Sequence, residues 1–143
     1  MLYDAAGEPA SLTPAELREA YEAQLRAVVT DLGVDAVAAD TGVDSETIEA
    51  LADGPAPQLR VEDAASILAL DGSRPDAESI VLELRDHLLM AMTTGVVDVD
   101  AIASNVDLGL TGQEIQQALE GRTAMTLQQL AEIQQYLAER NDR

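Results

Sequence analysis

The sequence predicts an all-α protein: a tandem repeat of two small helical units packed around a central long helix. Three observations carry that prediction. Apolar residues recur at helical spacing in each patterned segment. Cap and stop residues bracket those segments. A stretch of the first half also returns in the second: "VDAVAADTGVDSETIEALADG" over 34–54 matches "VDAIASNVDLGLTGQEIQQALEG" over 99–121, with two residues added in the later copy.

Residues 1–10 read as an N-terminal tail. No basic stretch leads into an apolar core there, so no signal peptide is expected. The first unit spans 11–72. Thr13 is an N-cap, Pro14 suits the first helical position, and Glu16 closes a capping box. Leu12 can staple to Leu17 across that cap. Leu17, Tyr21, Leu25, Val28 and Leu32 then keep one apolar stripe until Gly33 ends it. Shorter helices are expected at about 35–40, 45–53 and 61–70.

"DGSRP" at 71–75 breaks the pattern with Gly and Pro, and a second unit covers 76–140. It opens with a long helix over about 76–93, followed by three shorter ones that end near Arg140. Val81, Leu84, Leu88 and Met92 form one stripe of the long helix, and Leu82 and Leu89 a second. Two apolar faces suit an element shared by both units.

The charge limits the habitat more than the partner. Acids outnumber bases 27 to 8, every base is arginine, and lysine, phenylalanine, tryptophan and cysteine are absent. Hydrophobic residues still make up 47% of the chain, too many for an acidic disordered one. The expectation is an aliphatic core under a carboxylate-rich surface, suited to molar salt, where the Debye length shrinks to about 3 Å. No apolar run is long enough to span a bilayer, so a cytoplasmic protein is expected.

The spacing Ala38, Gly42, Ile48, Gly54 resembles the lambda-repressor and Cro-like helix-turn-helix family over nearly the whole first unit. Ala103, Gly109, Ile115 and Gly121 take the same places in the second. Val43, Leu59, Ala64 and Ile67 fit the family's remaining core positions. The resemblance implies close helix packing at the alanine, a turn at the first glycine, and a recognition helix anchored by the isoleucine. Over nearly the full length, "SLTPAELR", "LLMAMTTGVVDVDAIAS" and "EIQQALEGRTAMTL" are similar to a haloarchaeal acidic family of unassigned function, which implies no activity.

The helix-turn-helix resemblance implies double-stranded DNA as a partner, read by the start of the recognition helix. In the first unit that helix offers Asp44, Glu46 and Glu49, which oppose phosphates. In the second, Gln113 and Gln117 are placed for base edges, and Gln116 and Arg122 for phosphates. Glu114 and Gly112 count against this, as do Val34 and Val99, which stand where the family carries a glutamine on the DNA backbone. The leading expectation is a small, salt-adapted transcriptional regulator with the second unit as reader. The alternative is a protein-interaction module that kept the fold and binds no DNA.

For such a module, Leu89 and Met90 within "LLMAMTTGVV" at 88–97 are the candidate surface, for a homodimer or a partner protein. The competing expectation puts Leu88, Met90 and Met92 in the seam between the units. His87 is the only histidine and supports neither a triad nor a metal cluster. "DVDAIASNVDLG" lacks the glycine and glutamate of a calcium loop. No catalytic residue, metal site, cofactor or small-molecule substrate is expected, and no enzymatic activity.

Overall fold

A computed structural model describes residues 2–142. Among them are eight α-helices and no β-strand. They are α1 Pro14–Leu32, α2 Val34–Thr41, α3 Ser45–Asp53, α4 Val61–Leu68, α5 Ala77–Gly95, α6 Val99–Asn105, α7 Gly112–Leu119 and α8 Leu127–Asn141. None is long and apolar enough to cross a membrane.

Local chemistry sets the boundaries. Thr13 and Glu16 form the reciprocal capping box at the start of α1, and Thr111 with Glu114 repeats it on α7. Thr126 and Gln129 do the same on α8. Gly33 ends α1 at φ 92°, and Gly42 ends α2 in the left-handed region at φ 76°. α5 runs to Gly95, beyond the expected stop near residue 93, because Val96 takes the left-handed cap at φ 54° and bonds back to Met92 and Thr93. A β-branched residue rarely adopts that conformation, so its sequence gives no warning of it.

The same order of helices runs twice. α1 and α5 are both 19 residues long, and each begins behind a side-chain cap, Thr13 or Asp76. Leu17, Tyr21 and Leu25 are buried on α1, as are Ile80, Leu84 and Leu88 at matching places on α5. The halves join where α4 and α8 begin. Arg60 and Thr126 form an antiparallel bridge, with Val61 N–H donating to Met125 O and Leu127 N–H to Leu59 O, both at 2.8 Å. Around this junction the long helices exchange partners: α1 packs on α8, and α5 on α4 as well as α8. The central layer is therefore four helices with both halves in one core.

The N-terminal stretch joins that core without showing a helical pattern. Leu2 is fully buried, and the Tyr3 ring stacks on His87 at 4.6 Å. Gln134, buried on α8, donates to the Tyr3 carbonyl at 2.7 Å and accepts from the Tyr21 hydroxyl. That burial pushes the Tyr21 hydroxyl well above its ordinary pKa, so it stays a donor.

An ionic bolt fixes the first half. Glu22 is fully buried, with its Oε1 at 3.5 Å from Arg18 Nε and 3.8 Å from Arg26 Nη2. Its other oxygen accepts the Ala56 N–H. Arg26 also donates to Leu51 O at 2.8 Å and Gly54 O at 2.7 Å, tying the end of α3 to α1. The place corresponding to Arg26 on α5 is Leu89, which has no donor for α7.

Candidate functional site

Two surfaces carry the residues singled out in the sequence: the exposed side of α7 and the outer face of α5. On α7, Ile115 and Leu119 face inward, while Gln113 and Gln116 are exposed and Gln117 is half-buried. Arg122 follows the helix, exposed. Glu120 stands between two of these groups. Its Oε1 accepts from Gln116 Nε2 at 2.8 Å, and its Oε2 lies 3.2 Å from Arg122 Nε. An acid thus occupies both groups expected to reach phosphates.

The start of α7 is also acidic. Gly112 is buried against Asp100 of α6, whose carboxylate fills the space a Cβ would need. This contact leaves room for no side chain at position 112. Together with Glu114 it sets negative charge on the positive end of the helix dipole, where a phosphate would otherwise gain most.

Among the described residues, only Arg85 and Arg122 lie beside α7, at its C-terminal end, and Arg122 is paired with Glu120. Arg18 and Arg26 are engaged with Glu22, Arg74 with Asp71 at 3.3 Å, and Arg140 with the Gly95 carbonyl at 3.3 Å. Arg85 lies against Gly121, a contact that sequence spacing does not reveal. Arg143 falls outside the described residues.

The outer face of α5 is open and carries exposed apolar side chains beside Glu83, Asp86 and Thr93. Leu89 is 46% exposed and Met90 70%, so the expectation that Met90 fills the seam with Leu88 and Met92 is corrected. The reason is helical phase: Met90 lies about 200° around the helix from Leu88, whereas Met92 lies about 40° away. Leu82 is exposed one heptad before Leu89 on the same face, and Val96 is exposed at the left-handed cap that ends α5. No acid occurs between Asp86 and Asp98. At the inner edge of this face, burial under Tyr3 pulls the His87 pKa down, against the opposing pull of Asp4.

Among the described residues, no cluster of three or more His, Cys, Asp or Glu side chains is placed to hold a metal ion. No curated protein and no solved structure matches the chain. A family model described as a family of unknown function, DUF5791, matches residues 17–140, which include all of α2–α7, α8 except Asn141, and nearly all of α1. The chain belongs to the DUF5791 family.

Proposed function

We propose that this chain is a non-enzymatic protein-interaction module for concentrated salt, which pairs through the outer face of α5. One observation carries the reading: Leu82, Leu89 and Met90 are exposed on α5 and Val96 at its C-cap, and no acid lies between Asp86 and Asp98. In a chain of net charge −19, a second copy brings like charges together almost anywhere else. Across a two-fold axis at Leu89, Leu82 of each copy meets Val96 of the other.

The scaffold is read as two repressor-like helix-turn-helix units, one of α1–α4 and one of α5–α8. Support comes from the repeated helix order and from Gly42 and Gly109 at φ 76° and 69° in the two turns. The dimer is weak. Each apolar side chain is already partly covered, so burying the remainder contributes about 1 kcal/mol apiece before the cost of association.

Sedimentation equilibrium in molar potassium chloride tests the pairing. Wild type is expected to approach twice the mass of the chain as concentration rises, and Leu89→Glu/Met90→Glu to stay monomeric. A monomeric wild type at every concentration overturns the proposal.

A second reading, DNA recognition by α7, is favoured by Gln113, whose side chain stands exposed in the first turn with no hydrogen bond among the described residues. An anisotropy titration of duplex DNA in molar potassium chloride separates the two. Saturable, sequence-dependent binding lost in Gln113→Ala/Gln117→Ala supports a reader; no binding leaves the interaction module.

A further inference from the structure

α4 and α8 begin as counterparts at the Arg60–Thr126 bridge but differ in length. α4 stops at Leu68, whereas α8 continues to Asn141. The added turns of α8 rest on the end of α5: Arg140 Nε donates to Gly95 O at 3.3 Å, and Asn141 Nδ2 to Ala91 O at 3.1 Å. On α1, Val28 and Leu32 occupy the places that Ala91 and Gly95 hold on α5. α4 does not extend over them, because it stops at Leu68; Leu32 stays exposed, while Val28 is buried with one side on the groove.

What remains is an open groove of about 810 Å³ between α1 and residues 70–74. Its α1 wall includes Ala20, Ala23 and Ala27, spaced along one helical face and small enough to let another backbone approach. Gln24 Oε1 lies in this wall, shielded from solvent and without a hydrogen-bond partner. An unpaired buried acceptor is costly, and a bound donor removes that cost. Asp71 and Arg74 of the lining pair with each other, so Asp31, with the negative C-terminal end of the α1 dipole, sets the groove's charge.

We propose that this groove binds an amphipathic helix of a partner protein that carries an arginine or lysine in its last turn. The helix would sit on α1 as the final turns of α8 sit on α5. The apolar wall matches its buried face, and Asp31 with the α1 carbonyls matches its cation. The site is separate from the α5 face, so the two proposals fail independently.

The probe is a synthetic peptide copying residues 127–141, the segment seated at the corresponding place, titrated into the isotopically labelled full chain in molar potassium chloride. Saturable amide shifts are expected at Ala23, Ala27 and Gly72. Binding should weaken about tenfold in Ala27→Glu, and about tenfold with a peptide carrying Arg140→Glu. Ala27 is exposed, so its replacement leaves the core intact. Met90→Glu should retain binding. Absence of groove shifts, shifts confined to the native contacts of α8, or unchanged binding in Ala27→Glu overturns the proposal.

Discussion

Arg60 and Thr126 face each other in an antiparallel bridge at the point where α4 and α8 begin. The flanking bonds, from Val61 to Met125 and from Leu127 to Leu59, place corresponding residues of the two halves in reciprocal roles. Helices from each half then pack on those of the other, so neither can open without exposing the shared core.

That arrangement predicts one cooperative unfolding transition. The Val61 and Leu127 amides should exchange with solvent at the rate of global unfolding, among the slowest in the chain. Native-state hydrogen exchange checks this. If Val61 exchanges much faster than the core of α1, the halves separate before they unfold.

Glu22 gives a second prediction, on stability. Its carboxylate is fully buried between Arg18 and Arg26. Removing it takes the buried counter-charge from both and the acceptor from the Ala56 N–H, though Arg18 keeps Gln128 and Arg26 keeps Glu19. Glu22→Leu should lower unfolding free energy by about 3–5 kcal/mol in denaturant titrations. Glu46→Leu, an exposed change in the first turn of α3, should cost well under 1 kcal/mol. Equal losses would mean that the bolt contributes nothing particular.

Acid should weaken the fold through its caps. The Ser79 backbone N–H holds Asp76 below the ordinary carboxylate range, Ser73 does the same for Asp71, and the Thr13 backbone N–H for Glu16. A carboxylate whose folded pKa is depressed adds stability above its unfolded pKa and loses it as pH falls through the folded one. Stability should therefore decline as pH drops below about 4. Asn still caps a helix but does not titrate, so Asp76→Asn should flatten this decline with little loss at neutral pH. Thermal unfolding across pH tests it; an unchanged acid slope contradicts it.

Helix starts were the most legible part of the sequence. Thr13 with Glu16 announces local chemistry, and the structure carries that capping box. The 45–53 helix also has the expected bounds. Helix ends were less legible. α4 stops at Leu68, short of the expected 70, and α5 passes 93 because Val96 adopts a glycine-like cap. Long-range polar contacts were hidden. Glu22 resembles any surface acid on α1, with only Arg18 and Arg26 one turn to either side as a hint. The pairing of Glu120 with Gln116 and Arg122 was open to local spacing, whereas the contact of Arg85 with Gly121 depends on how distant elements pack. Leu89 was legible as a second stripe, and helical phase alone suffices to place Met90 away from Leu88.

Pairing through α5 is tested most directly at Leu89, the residue expected on the two-fold axis. The chain has no cysteine, so Leu89→Cys introduces a single reactive thiol. Residues at such an axis can bring their Cα atoms within the roughly 4.4–6.8 Å that a disulfide spans. Under mild oxidation in molar potassium chloride, Leu89→Cys should form a covalent dimer much faster than Glu49→Cys, an exposed control on α3. Equal rates for the two variants would contradict pairing through α5.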